Sequence, residues 1–250
     1  MIKFILARIL QAIPTLFVIA TLTFFMTRLA PGGPFDAEKN IPEEIKEKLE
    51  AHFGLEKPLH EQYFLYLGNL LQGDLGPSFK YMGWEVSELI AKAFPVSAQL
   101  GLFSLIIALV LGLPAGVIAA LRKNSAYDYC LMTTAMLGIC LPTFVLGPLL
   151  ILFFSSWLGW LPPLGWYSFA DMILPSLTLG LFYGAYIARL TRAGMLETLN
   201  QDYIRTARAK GASPIRVVLR HAIKGGLLPV LTFLGPAFAG LISGSFIIES

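Results

Sequence analysis

Five segments of this chain carry a long apolar run with no acidic or basic side chain near the middle, and that pattern decides what the chain can fold into. The segments are Ile9 to Thr27, Val96 to Leu121, Tyr129 to Leu158, Met172 to Leu190 and Leu227 to Ile248. A helix needs about 20 mostly apolar residues to cross a hydrocarbon layer of roughly 30 Å, because lipid offers no partner to an exposed peptide group. Each segment therefore reads as a membrane span. The expected fold is an all-α integral membrane protein, a polytopic helical bundle with five spans. Composition agrees: 56% of the 250 residues are apolar, 14% are charged and the mean hydropathy is +0.67, which excludes an ordinary soluble enzyme. The first run is too long for a signal peptide, and no small-x-small cleavage site follows it. It is read as a retained span.

Lys and Arg in short flanks stay on the cytoplasmic side, so Lys3 and Arg8 place the N-terminus inside. Alternate crossings then put Arg122 and Lys123 inside, Trp157 to Asp171 outside without any Lys or Arg, and Arg189 to Lys224 inside with eight bases and two acids. Trp157, Trp160, Trp166 and Tyr167 crowd the outer connection, where amphipathic rings favour the headgroup level. Residues 30–95 differ from the rest. From Pro31 to Phe94 they hold 11 of the 16 acids and are expected to form a small helical extracytoplasmic domain. Within it, Ile41 to Phe53 reads as a helix that opens on Pro42 and stops at Gly54, and Leu59 to Leu71 reads as a second. The organisation is thus 1–29 for the N-terminal end and first span, 30–95 for the outer domain, and 96–250 for the core.

Chemistry of the usual kinds is absent. His60-Glu61-Gln62-Tyr63-Phe64 opens like a zinc-protease helix, but Phe64 stands where the second histidine ligand belongs. There is no Walker A loop and no Gly-x-Ser-x-Gly elbow, and three scattered histidines form no ligand set. No cofactor, metal or catalytic residue is expected. Proton-driven carriers need ionisable groups at membrane depth, and no span has one at its centre. Cys130 and Cys140 are too few for a disulfide framework and are expected as buried thiols. Prolines such as Pro114, Pro142 and Pro175, with glycines such as Gly112, Gly116 and Gly180, point to close helix packing.

The inner loop, residues 191–226, carries the most information. Leu196, Leu199, Tyr203 and Ala207 recur at helical spacing, acids come early and bases late, and Gly211 suits a left-handed stop. Ser213 then caps a second helix that begins at Pro214, with Ile215, Leu219 and Ile223 as one stripe and Arg216, Arg220 and Lys224 as another. Taken alone, this is an interfacial helix pair with its bases among anionic lipid headgroups. The sequence from Tyr203 through Ile204, Arg205, Thr206, Ala207, Arg208, Ala209 and Lys210 to Gly211, with His221-Ala222-Ile223 and Leu227-Leu228-Pro229-Val230, goes further. It resembles the cytoplasmic signature of permease subunits of ATP-binding-cassette importers, closest to the oligopeptide and dipeptide branch.

Other landmarks of that branch recur in order: Arg28-Leu29-Ala30-Pro31-Gly32, Gln62-Tyr63-Phe64, Gly73-Asp74-Leu75-Gly76-Pro77-Ser78 and Phe94-Pro95-Val96-Ser97. The resemblance implies a non-enzymatic subunit of a bacterial inner membrane. Its partners would be a homologous permease, two ATP-binding subunits that hydrolyse ATP, and an external peptide-binding protein. It further implies that Tyr203, Arg205, Thr206, Ala207, Arg208, Ala209, Lys210 and Gly211 couple to the ATPase, small Ala207 and Gly211 permitting close approach. Two departures stand out. Arg205-Thr206-Ala207 replaces the general Glu-Ala-Ala opening, and the chain stops at Ser250 on the outside, one span short of the family's six. A membrane-anchored scaffold subunit, or an importer of dipeptides or nickel chelates, are the competing readings.

Overall fold

The computed structural model describes residues 2–29, 54–78, 81 and 83–243, and it divides into two compact units, Met1–Lys92 and Ala93–Ser250. Among the described residues every regular element is a helix, with one isolated bridge between Pro77 and Glu85. Three helices are long and apolar enough to cross a membrane, and the number rises to five if each of two bent pairs is one span. The protein is an all-α, multi-pass membrane protein.

In the first unit, α1 (Ile2–Leu29) extends beyond the apolar run at both ends. Its side chains are mostly exposed, as suits a helix whose solvent is lipid. The exception is Phe24, which is buried with its ring 5.3 Å from that of Tyr63 and 5.4 Å from that of Tyr66. The Tyr63 hydroxyl also shares a 2.8 Å hydrogen bond with that of Thr21. Both tyrosines belong to α2 (Leu59–Leu71), which has the limits read from sequence. Gln62 of α2 is buried because its side-chain amide donates to the carbonyls of Leu55 (3.1 Å) and Lys57 (2.7 Å), tying down the turn that enters the helix. The expected helix from Ile41 to Phe53 lies outside the described residues.

The second span is longer than its apolar core: α3 runs Val86–Leu121, through Pro95. Proline removes one backbone donor but does not end a helix whose neighbouring bonds survive, so Phe94-Pro95 is not the boundary the sequence suggested. The third apolar run is not one continuous helix. α4 (Ala126–Cys140) and α5 (Thr143–Trp157) meet at 107°, because Pro142 forces Leu141 out of the helical region to φ −78°, ψ 117°. The second half of α5, Ile151–Trp157, is wound in the wider π manner.

The longest helix of the second unit, α6 (Phe169–Leu199), outruns its predicted limits by three residues at the start and nine at the end. Asp171 nucleates it, accepting hydrogen bonds from the backbone N–H groups of Tyr167 (2.8 Å) and Ser168 (2.7 Å). α6 packs on α3 backbone to backbone. A β-carbon on Gly112 would stand 2.6 Å from the Gly184 carbonyl oxygen and 2.9 Å from Ile187, so only glycine permits this approach. The last elements are α7 (Asp202–Ala209), α8 (Pro214–Gly226) and α9 (Leu228–Ile242), the last two bent by 50°. The part of the fifth predicted span beyond 243 lies outside the described residues. Cys130 and Cys140 are free but exposed, contrary to expectation, because α4 turns them away from its contact with α6.

Candidate functional site

The inner loop is one folded object at the foot of α6. The sequence placed Leu196, Leu199, Tyr203 and Ala207 on a single helix. Instead α6 continues to Leu199 and stops where the Asn200 side chain bonds back to the Leu196 carbonyl (2.8 Å). Gln201 is extended at φ −71°, ψ 150°, and a separate helix, α7, begins at Asp202. Asp202 lies in its first turn and Arg208 in its last, as the helix dipole prefers.

Eight residues are too few for a stable isolated helix, which needs about 12 to 15 in water. Ile204 supplies what is missing. It is fully buried, in a cluster with Ala120 of α3, Met195 of α6, and Val217 and Ala222 of α8. Sequence reasoning passed over Ile204. Its signal was available: it is the one large aliphatic side chain between Asp202 and Gly211.

Of the eight residues assigned to coupling, seven are exposed: Tyr203, Arg205, Thr206, Arg208, Ala209, Lys210 and Gly211. Arg205 has 73% of its side chain in solvent and only a 3.4 Å contact with Asp202. Such a pair is worth little, and it leaves the guanidinium open to a partner. Tyr203 is half exposed, and its hydroxyl lies over Gly225. Ala207 differs, being partly buried against the Ile204 cluster, where its small size also serves internal packing. Gly211 takes the left-handed stop read from the sequence. Nothing lies within 4 Å of where its β-carbon would be, and its φ of +78° is what demands glycine as the chain turns out of α7.

Pro214 opens α8, but Ser213 makes no side-chain cap there. A π-type turn over Val217–Ala222 then shifts the register. Consequently Val217, Ala222 and Gly226 face inward, while Ile215 and Leu219 of the predicted apolar stripe are 73% and 63% exposed. The inward face meets α6 very closely. A β-carbon on Gly194 would overlap the Gly226 carbonyl oxygen, and Gly226 in turn rests on Met195.

Two more features complete the site. Arg192 of α6 grips Asp128 of α4 with both limbs of its fork, Nε to Oδ1 at 2.6 Å and the terminal nitrogen to Oδ2 at 2.7 Å. Asp128 is only 2% exposed and also accepts from the Asn124 backbone N–H at 2.9 Å. A cleft of about 370 Å³ is lined by Lys123, Leu196, Arg208, Pro214 and Val217. The arrangement can present a basic surface to a partner while fixing that surface to three helices.

Comparison with known proteins gives a consistent result. The family described as "Binding-protein-dependent transport system inner membrane component" matches residues 112–250, and its N-terminal companion family matches residues 1–100. The chain is 52% identical to the oligopeptide transport system permease protein OppB of Haemophilus influenzae and equally so to that of Escherichia coli K12. Both alignments cover 100% of this chain and 82% of the relative. It is 43% identical to the dipeptide transport system permease protein DppB of Bacillus subtilis, covering 100% of this chain and 81% of that one.

Proposed function

The chain belongs to the family of inner membrane components of binding-protein-dependent transport systems, and from that premise we propose that it is the permease subunit of an ATP-driven importer of oligopeptides. The 52% identity to oligopeptide permeases against 43% to a dipeptide permease supports the longer substrate class. In this reading the protein pairs with a homologous permease, two separate cytoplasmic subunits bind and hydrolyse ATP, and an external peptide-binding protein delivers the substrate. The N-terminus and the α7 surface lie on the cytoplasmic side of the inner membrane, where the Lys and Arg excess belongs.

The observation that carries the proposal is the construction of α7: an eight-residue helix with an exposed basic face, held by one buried isoleucine at the end of the longest membrane helix of its unit. A surface helix that did nothing would not need three helices to anchor it. As the ATPase pair closes on ATP, a helix seated on it is displaced. Because Ile204 and Met195 share a core, that displacement passes to α6 and α3 and changes which side the pathway faces.

The test uses the complex of both permeases and both ATPase subunits in inner membranes. Arg205→Glu reverses an exposed charge without touching the buried cluster, so insertion and yield stay normal while ATPase recovery and peptide uptake both fall. Normal uptake in that variant overturns the docking surface. Hydrolysis of ATP by the purified permease alone overturns the division of labour.

A further inference from the structure

Within five residues the foot of α6 touches three other elements. Thr191, fully buried, packs on Gly116 of α3. Arg192 holds Asp128 of α4. Gly194 and Met195 press on Gly226 of α8. The contacts to α3 and α8 are apolar and depend on small residues. The contact to α4 is a charged fork, and it is made at the end of α4 that lies far from the 107° bend at Leu141-Pro142.

A planar, bidentate pair fixes orientation as well as distance, which a van der Waals contact between smooth helices does not. Oδ2 of Asp128 also accepts the Asn124 N–H, offered by a residue at φ +62° that turns the α3–α4 connection back toward the carboxylate. Asp128 is therefore held at both oxygens, with almost no exposure to water.

We propose that Asp128 and Arg192 form a positioning clamp that makes α4 move as one body with the coupling element α7 and the foot of α6, so that displacement of α7 reaches the bend between α4 and α5. This rests on the importer reading above and adds to it a residue pair outside the docking surface. Neither residue touches substrate or the ATPase. Their part is to keep α4 from lagging when α7 is pushed.

The experiment uses the assembled importer, with both permeases, both ATPase subunits and the binding protein, in proteoliposomes. Asp128→Asn keeps an acceptor for the Asn124 N–H but removes the charge; Arg192→Lys keeps the charge but removes the fork. Both variants are expected to co-purify with the ATPase subunits and to hydrolyse ATP, while peptide moved per ATP falls by about fivefold or more. A direct readout accompanies this. Spin labels are placed at two exposed sites, Tyr129→Cys on α4 and Leu219→Cys on α8, with Cys130 and Cys140 replaced by Ser. With the clamp intact their separation stays the same between nucleotide-free and nucleotide-trapped complexes; with Asp128→Asn it changes by about 2 Å or more, the scale of a helix shift.

A normal ratio of peptide to ATP in both variants overturns the clamp, as does a separation that already changes when the pair is intact. Failure of both variants to insert or assemble also overturns it, since the pair would then serve folding alone. Failure of the unmodified chain to recover any ATPase subunit is a different result, and it sinks the importer reading instead.

Discussion

Ile204→Ala is the perturbation most revealing of how the inner loop is built. Ile204 has no exposed surface, and the change deletes three carbons from a cluster shared with Met195, Val217 and Ala222. At about 0.8 kcal/mol per buried methylene the lost transfer energy is about 2.4 kcal/mol. The cavity adds to this, and Ile→Ala substitutions in cores span about 2 to 5 kcal/mol, so about 3 kcal/mol is the expected cost. The membrane helices do not depend on this residue, so the cost falls on local opening of α7, which at eight residues has no independent stability. About 3 kcal/mol raises the open population roughly a hundredfold. Arg205, Arg208 and Lys210 are tryptic sites within or just after α7, and cleavage there tracks the open population when opening and closing are fast. Trypsin added to inside-out vesicles is therefore expected to cut the loop about a hundred times faster in Ile204→Ala, and about fivefold faster in Ile204→Val, which costs about 1 kcal/mol. Leu219→Ala, at an exposed position, should change nothing. Equal cleavage rates in Ile204→Ala and the unmodified protein would refute the claim that one buried side chain holds α7 in place.

Two further substitutions separate packing from docking in the same element. Ala207→Glu drives a charged side chain into the partly buried side of α7 without adding a tryptic site, so it should raise cleavage after Arg208 and Lys210 even without an ATPase subunit present, whereas Arg205→Glu should not; equal cleavage after Arg208 and Lys210 in the two would put Ala207 back on the outer surface. Gly211→Ala forces a β-carbon into a backbone at φ +78° at a cost of about 1 to 2 kcal/mol, and Gly211→Asn should cost less because Asn tolerates that region; tryptic cleavage of the loop should rank Ala above Asn above Gly, and no difference would remove the conformational reason for the glycine.

How far each feature could be read from the residues depends on the range of the interaction that fixes it. Hydropathy and turn chemistry are local, so the apolar runs, the limits of α2, and the turn at Gly211 before Pro214 were all legible. The bend at Leu141-Pro142 is local too, but the apolar run hides it, since a membrane helix often absorbs a proline, as α3 does at Pro95. Register inside α8 was misread because a π-type turn breaks the 3.6-residue period on which the stripe of Ile215, Leu219 and Ile223 depended. The Asp128–Arg192 pair joins residues 64 apart, and reading Arg192 as a topological charge concealed its partner. One signal was present: Asp128 is the single acid between Glu88 and Asp171, set just after Arg122 and Lys123, where a carboxylate has no use in setting topology.

The distribution of close contacts bears on how such a bundle can change shape. Between α3 and α6 the approach is backbone to backbone at Gly112, and Gly116 meets the Ala188 carbonyl in the same way. Surfaces packed at that distance cannot be compressed and lose their contacts if they slide, so these two helices move together or not at all. α4 and α5 each pack on α6, but at Leu141-Pro142 between them the helical hydrogen bonds are already interrupted. Asn200-Gln201 is a second break, but Ile204 locks α7 onto the foot of α6. Rearrangement is therefore cheapest at the α4–α5 bend. On the proposed reading a push on α7 would be carried rigidly by α6, α3 and α4 and released where the third span is already broken. Stiffening that bend, and not loosening it, is what should stop transport while leaving ATP hydrolysis intact.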